Sequence, residues 1–104
     1  MRNKKKGIIY ALKATDQGDS IYKIGTTRVS VDSRIKYYNR KYNVAFEVLH
    51  EKNNVRDPYH IETLLKWHLW GSHKVILDLN GVRCNELFFD CEDEINHFFR
   101  EKLA

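Results

Sequence analysis

The segment GIIYALKATDQGDSIYKIGT, residues 7–26, contains two strand-like runs with a turn between them. Residues 7–14 are β-branched and aromatic in their first half, and residues 20–26 alternate apolar with polar side chains, so both segments are predicted to be strands. Residues 15–19 between them have turn chemistry, with Gly18 able to adopt positive φ. The stretch therefore predicts an antiparallel β-hairpin.

A helix is predicted directly after the hairpin. Ser30 is the expected N-cap, and Asp32 lies in the first turn of a helix that runs to about Lys41. Its apolar residues Ile35 and Tyr38 have helical spacing, so we expect both to face the sheet.

The rest of the chain continues to alternate strand and helix signals. A third strand is expected over 44–50, followed by a charged connection over 52–57 and a helix over 59–70 after Pro58. Strand-like runs are expected over 74–79 and 86–89 around the turn Asn80-Gly81. A final helix is expected from a cap at Asp90 to about Leu103. The helix after Pro58 is predicted to place four residues on one stripe, namely Ile61, Leu64, Leu65 and His68, with Gly71 as its stop signal.

These elements predict the α/β fold class, as a small, mainly antiparallel three-stranded sheet with flanking helices. A chain of 104 residues, 42% of them hydrophobic, fits a single domain over 1–104 with a basic arm at 1–6. No apolar run approaches the roughly 20 residues that span a bilayer, and no signal peptide is evident, so we expect a cytoplasmic location and no membrane partner. Cys84 and Cys91 are expected to be reduced thiols.

The charge is concentrated in the amino-terminal half of the chain. Lys and Arg outnumber Asp and Glu by 18 to 14, which gives a net charge of +4 and favours an anionic partner. The residues expected to contact nucleic acid are those of the arm, the loop after the hairpin and the first helix: Lys4, Lys5, Lys6, Arg28, Lys36, Arg40 and Lys41. Either basic run is equally typical of a solvated face.

Two motifs in the hairpin carry a family resemblance. Gly7-Ile8-Ile9-Tyr10 and Tyr22-Lys23-Ile24-Gly25 resemble the paired motifs that name the GIY-YIG nuclease superfamily, with an extra Ile in the first and Lys23 in place of the usual Tyr in the second. A lysine there recurs in a branch of phage and bacterial proteins. Further along, Arg34 looks like the family's helix arginine, Glu62 looks like its metal-binding glutamate, and Asn85-Glu86-Leu87-Phe88 resembles its terminal motif.

The resemblance implies a metal-dependent endonuclease or nickase that hydrolyses phosphodiester bonds in DNA or RNA. Glu62 would hold Mg²⁺ or Mn²⁺, Tyr10 or Lys23 would activate water, Arg34 would hold a phosphate oxygen, and Tyr38 would position water or phosphate. Further candidates for the site are Tyr22, Gly25, His60, Asn85 and Glu86. A homodimer or a separate subunit is the expected source of specificity.

Each residue also has a purely structural interpretation. Tyr10 would cover the core, Lys23 would face solvent, Arg34 would join a surface ion pair, and Glu62 would pair with Lys66 at i,i+4 spacing. His60, His68 and His73 cluster in the sequence, but His60 and His68 are two turns apart along the predicted helix, so we do not expect them to share one metal ion.

Two other functions therefore stay open. One is a non-catalytic nucleic-acid-binding module, favoured by the extra Ile in the first motif. The other is a protein-interaction or regulatory domain that uses exposed aromatic residues, namely Trp67, Trp70, Phe98 and Phe99. The enzyme hypothesis predicts that Tyr10, Lys23, Arg34 and Glu62 converge on one concave surface.

Overall fold

The computed structural model describes residues 6–14, 21–70, 75–79 and 81–103, with side chains except those of 75–77 and 84–86. The elements in chain order are β1 (Lys6–Ala14), β2 (Ile21–Thr27), α1 (Val31–Tyr42), β3 (Phe46–Arg56), α2 (Pro58–Trp70), β4 (Val75–Leu79), β5 (Val82–Phe89), α3 (Glu92–His97) and a π-helical segment, Phe98–Lys102, that continues α3.

The strands form one antiparallel sheet in the order β3-β1-β2-β5-β4. The predicted α/β class and the pairing of β1 with β2 are confirmed, with Tyr10 opposite Gly25 and Leu12 opposite Lys23. The sheet has five strands rather than three, because the two strand-like runs form a hairpin that extends it, with Tyr22 opposite Phe88. The predicted turn at 15–19 lies outside the described residues.

Helices cover both faces of the sheet, and each face has its own core. On one face α1 packs through Tyr38 and Tyr42 against strand residues that include Tyr10. On the other face α2 and α3 pack against strand residues that include Ile9 and Ile24. The two cores follow from the strand geometry, since successive side chains of β1 point to opposite faces.

Helix α1 has the predicted cap. The Ser30 side chain accepts a hydrogen bond from the backbone N–H of Ser33 at 3.1 Å, and Asn43 ends the helix in the left-handed region with φ 55°. The cap fixes where the helix starts, and with it the direction in which the side chains of the first turns point.

Strand β3 is longer and less regular than predicted. It continues to Arg56 through the expected connection, because β1 offers a backbone partner as far as Lys6. The pairing register shifts twice, so that Leu49 lies outside the ladder, as do Asn53 and Asn54, the latter with φ 57°. β3 lies at the edge of the sheet, and its pairing with β1 has two irregularities of the β-bulge kind.

The predicted stripe of α2 is only partly correct. The helix begins at Pro58 as predicted, and Asp57 accepts a hydrogen bond from the backbone N–H of His60 at 3.1 Å. Its buried residues, however, are Pro58, Leu65 and Leu69, whereas Leu64 and His68 are exposed. The stripe is rotated because Leu69, not His68, packs on the sheet. Gly71 lies outside the described residues.

The start of α3 also differs from the prediction. Asp90 adopts φ 63° and lies before the helix, which begins at Glu92 after Cys91, so Asp90 is not the cap. Phe99 is buried and Phe98 half-buried, so neither belongs to an exposed aromatic surface. Cys91 is a free buried cysteine, as expected, while the side chain of Cys84 lies outside the described part. None of the helices in the described ranges has the length and apolarity needed to cross a membrane.

Candidate functional site

The hairpin of β1 and β2 lays the ring of Tyr10 across Gly25. A Cβ atom added to Gly25 would lie 2.4 Å from the hydroxyl oxygen of Tyr10 and 2.5 Å from its Cζ. Real Cβ atoms do not approach other atoms that closely, so only glycine fits opposite this tyrosine. Gly25 therefore contributes to the site by leaving room for the Tyr10 ring.

Helix α1 brings Arg34 and Tyr38 onto the same face, one helical turn apart. The hydroxyl oxygens of Tyr10 and Tyr38 lie 3.1 Å apart, and Arg34 Nη2 donates a hydrogen bond to Tyr38 Oη at 3.1 Å. Lys23 Nζ lies 5.4 Å from the centroid of the Tyr38 ring. These four residues, Tyr10, Lys23, Arg34 and Tyr38, form what we call the phenol–cation cluster.

The cluster is largely closed to solvent. Lys23 is 5% exposed, which is unusual for a lysine and rules out the interpretation of this residue as a solvent-facing strand lysine. Tyr10 is fully buried and Tyr38 nearly so. Two positive side chains held against two phenols in a poorly hydrated space favour negative charge on a phenol oxygen.

The two phenols respond to this environment in opposite directions. Burial raises the pKa of Tyr10, and the neighbouring Tyr38 raises it further. Burial also pushes the pKa of Tyr38 upward, but the charge of Lys23 and the hydrogen bonds from Tyr10 and Arg34 outweigh it, so that this pKa falls below its ordinary value. Tyr38 is therefore the phenol that ionises more readily.

The guanidinium of Arg34 has a further buried donor besides the Nη2 group that bonds to Tyr38. Its hydrogen bond to Tyr38 is the main cause that raises the Arg34 pKa, so the guanidinium stays charged. Among the described residues, Arg34 Nε is buried and has no hydrogen-bond partner. An unsatisfied buried donor is costly, and an anion that reached it would remove that cost.

Tyr37 is a residue that sequence reasoning missed. Its ring is half exposed and lies close to two cations, with Arg34 Cζ 5.0 Å and Lys41 Nζ 5.5 Å from its centroid. The hydrogen bond to Tyr37 is the largest cause of a raised pKa at Lys41. The i,i+3 and i,i+4 spacing of these residues was the available signal.

Glu62 lies across the sheet from the phenol–cation cluster. Leu65 and Leu69 of α2 pack in the core that contains Ile9, on the face opposite Tyr10. The prediction of one shared surface is therefore confirmed for Tyr10, Lys23 and Arg34 and wrong for Glu62. Periodicity identified α2 as a helix but did not say which face of the sheet it would cover.

The carboxylate of Glu62 nevertheless lies on a particular flank of α2. Glu62, Lys66 and Trp70 are spaced four residues apart and share this flank. The Trp70 ring meets the Phe88 ring of β5, with centroids 6.2 Å apart, so the flank faces the β2–β5 side of α2. Glu62 forms a largely buried ion pair with Lys66, which was the structural alternative for this residue.

The ladder between β2 and β5 lies on this side. In the described part of the chain it comprises the pairs of Ile21 with Phe89 and Tyr22 with Phe88. The part of β2 that carries Lys23 and Gly25 follows these pairs along the strand. The flank with Glu62 therefore faces the side of α2 on which β5 pairs with β2.

Tyr22 belongs to a different contact. Its hydroxyl donates to Glu92 Oε1 at 2.6 Å, and Lys13 Nζ lies 2.7 Å from the same oxygen. The hydrogen bonds from Lys13 and Tyr22 lower the pKa of Glu92. Tyr22 thus ties β2 to α3 on the face away from Tyr10, and its candidacy for the site is not supported. Burial raises the pKa of the adjacent Cys91 thiol to about 12, which disfavours the reactive thiolate form.

The remaining predicted residues are scattered. His60 is exposed on α2, and the side chains of Asn85 and Glu86 lie outside the described part. Lys6, Arg28 and Arg40 are exposed, whereas Lys36 pairs with Asp32 at 3.4 Å. Lys4 and Lys5 also lie outside the described residues. Within the described ranges no group of three or more His, Cys, Asp or Glu side chains is arranged to hold a metal ion.

Comparison with known proteins gives one match. No curated protein and no solved structure matches the chain significantly. The model of the T5orf172 domain matches residues 7–101, a range that includes both hairpin motifs, α1 and α2. The chain therefore belongs to the T5orf172 domain family, which is phage-related.

Proposed function

We propose that this domain is a metal-dependent endonuclease or nickase that hydrolyses phosphodiester bonds in DNA, of the GIY-YIG kind that its hairpin motifs resemble. The observation that carries the proposal is the phenol–cation cluster, in which four residues from two strands and a helix meet within hydrogen-bonding and cation–π distance. Membership in a phage-related family and the net charge of +4 are consistent with a nucleic-acid substrate.

Arg34 would bind the phosphate. It is charged, planar and anchored by its hydrogen bond to Tyr38, and its Nε–H can still donate to a further acceptor. A phosphate oxygen is a good partner for such a guanidinium, because it accepts strong, charge-assisted hydrogen bonds from the guanidinium N–H groups. Positive charge at this point would also stabilise the transition state, in which negative charge grows on the phosphoryl oxygens.

Tyr38 is a better general base than Tyr10. The proton of the attacking water would move to Tyr38 Oη, while the water oxygen forms a bond to phosphorus and the bond from phosphorus to the leaving oxygen breaks. The leaving oxygen would keep the electron pair of that bond and take a proton from solvent. The cations Lys23 and Arg34 stabilise the phenolate that accepts this proton. Tyr10, whose hydroxyl donates to that phenolate, is then a positioning residue.

Glu62 would supply the protein ligand for Mg²⁺ or Mn²⁺. Mg²⁺ commonly uses one or two carboxylates together with water and substrate phosphates, so a single largely buried carboxylate fits this ion. In the structure Lys66 forms an ion pair with the Glu62 carboxylate. The Lys66 ammonium group would have to move away for the metal ion to bind. When bound, the ion would supply charge stabilisation at the phosphate.

A second function is favoured by the position of α2. Because this helix covers the face opposite Tyr10, Glu62 meets the substrate of the phenol–cation cluster only if that substrate extends around the sheet to the flank that carries Glu62. If it does not, the cluster is a phosphate-binding site without a metal ligand. The domain would then be a non-catalytic nucleic-acid-binding module.

The test is cleavage of supercoiled plasmid by purified protein in Mg²⁺ or Mn²⁺. We expect the wild-type protein to nick or cut it, the Glu62→Ala variant to be inactive, and the control Glu47→Ala, which removes an exposed carboxylate of β3, to keep full activity. Cleavage by Glu62→Ala would reject the metal role. No cleavage by the wild type, together with retained DNA binding, would leave the binding module as the function.

A further inference from the structure

Helix α2 exposes an aromatic ridge. Tyr59, Trp67 and Trp70 lie at spacings of eight and three residues, within an arc of about 80° of the helix at 3.6 residues per turn. Trp67 is 80% exposed and Tyr59 is 72% exposed. Large aromatic side chains in such numbers on one helix surface commonly mark a binding site.

The polar groups of the ridge are few. The hydroxyl of Thr63, between Tyr59 and Trp67, donates back to the backbone oxygen of Tyr59 at 3.0 Å, so it does not point to a ligand. Glu62 is the only acidic residue of α2, and it is paired with Lys66. The exposed surface of the helix therefore offers π faces and no free carboxylate that would repel an anion.

Basic residues surround the end of the molecule at which the ridge begins. Lys6 and Arg56 are opposite each other in the pairing of β1 with β3, and both are exposed. A Cβ atom added to Gly7 would lie 3.0 Å from Cγ of Pro58 and 3.5 Å from Cγ of Arg28. Three cations, Lys6, Arg28 and Arg56, thus lie beside the first turn of α2, next to one acidic neighbour, Asp57.

We propose that the aromatic ridge of α2 binds unpaired bases of a single-stranded nucleic acid, with the backbone phosphates directed to Lys6, Arg28 and Arg56. Bases stack on Tyr59 and Trp67, since every base has a π face and aromatic side chains bind them without regard to sequence. The ridge from Tyr59 to Trp67 is about 12 Å long, which a few stacked nucleotides at about 3.4 Å each would span.

The proposal rests on the proposed function and narrows its substrate. Glu62 is about 60° from Tyr59 and about 140° from Trp67 around the helix, so the end of a strand that stacks on Tyr59 would lie next to the flank that carries the carboxylate. A duplex hides its base faces, whereas a gap, flap, fork or displaced strand presents them. The substrate class is therefore nucleic acid with a single-stranded segment.

The experiment measures binding without cleavage. Fluorescein-labelled single-stranded DNA and the matching duplex are titrated with full-length protein in EDTA, and binding is followed by anisotropy. Trp67→Ala is expected to weaken single-strand binding by about 5- to 150-fold, the effect of losing one stacked base, with little change for duplex. Trp67→Phe should restore most of the affinity, and Leu64→Ala, an exposed apolar residue of the same helix outside the ridge, should bind as wild type.

The outcomes separate this inference from the proposed function. Equal single-strand affinities of wild type and Trp67→Ala would overturn the inference. So would self-association of the wild type that Trp67→Ala abolishes while DNA binding is unchanged, because the ridge would then be a contact with a second copy. Failure to cleave in Mg²⁺ or Mn²⁺ would count against the nuclease alone, since these titrations do not require catalysis.

Discussion

Gly25 shows how one missing side chain shapes the site. Because a Cβ atom would lie 2.5 Å from Cζ of Tyr10, Gly25→Ala must displace that ring and its contact with Tyr38. We expect a loss of about 1–3 kcal/mol in the free energy of unfolding, as for other overpacked cores. Chemical denaturation measures it, with Thr26→Ala, at the next strand position, as the control. A stability loss no larger than that of the control would show that the ring has room to move.

Ionisation of Tyr38 is expected to make the free energy of unfolding depend on pH. Its folded pKa lies below the ordinary value of 10.0, so the stabilisation that comes from its ionisation is complete above the unfolded pKa and is lost as pH falls through the folded pKa. In an absorbance titration of tyrosinate, Tyr38→Phe should remove the transition at lowest pH, and Tyr59→Phe should leave it in place. If that transition survives in Tyr38→Phe and disappears in Tyr10→Phe, Tyr10 is the ionising phenol.

The residues of the hairpin and α1 could be predicted because their geometry is local. Strand pairing sets Tyr10 and Lys23 on one face, and helical spacing sets Arg34 one turn before Tyr38. The burial of Lys23 and the choice of Tyr38 as the more acidic phenol depend on how α1 lies over the sheet. That packing joins residues far apart in the chain, and no short pattern records it.

At the scale of elements, the cap of α1 is expected to support the site that the helix carries. Ser30→Ala removes the acceptor for the N–H of Ser33 and should lower the free energy of unfolding by about 0.5–2 kcal/mol. Ser30→Asp keeps an acceptor at the same position and serves as the control. Equal losses for both variants would mean that the side chain matters for another reason than capping.

The corrected stripe of α2 gives a second prediction at this scale. Leu65 is fully buried against the sheet, so Leu65→Ala should cost about 2–5 kcal/mol in the free energy of unfolding. Its neighbour Leu64 is exposed, and Leu64→Ala should change stability by less than about 0.5 kcal/mol. Thermal and chemical denaturation of the two variants measure these losses in stability. A larger loss at Leu64 would restore the stripe expected from the sequence.

The rotation of that stripe also explains which features of the elements were predictable. Pro58 marks a helix start whatever surrounds it, so the boundary was found. Leu64 and Leu65 are adjacent and equally apolar, and His68 and Leu69 offer the same choice one turn later. Only contact with β1 and β2 decides between them.

For the whole molecule, the distribution of positive charge predicts how binding responds to salt. Replacing Lys4, Lys5 and Lys6 together with alanine should weaken DNA binding uniformly across sequences, because phosphate contacts carry no sequence information. Each lost phosphate contact should lower the salt slope by about 0.9 in a duplex. Anisotropy at several salt concentrations measures both. Unchanged affinity at low salt would show that the arm is a solvated segment.

The fold class was predictable at this scale, but the extent of the sheet was not. β-branched and alternating segments identified strands, and their order with the helices gave the α/β class. The joining of β5 to β2 depends on contacts between residues separated by most of the chain, as with Tyr22 and Phe88. The sequence of either strand alone does not indicate that the two strands pair.

The irregular edge strand β3 bears on how the protein resists forming fibrils. An uninterrupted edge of eleven residues would offer a template on which identical segments could stack into cross-β layers. Here Leu49, Asn53 and Asn54 divide the ladder into runs of three residues or fewer, shorter than the six or seven that a steric zipper uses. The strand that closes one side of the sheet is thus poorly suited to recruit another chain into an amyloid.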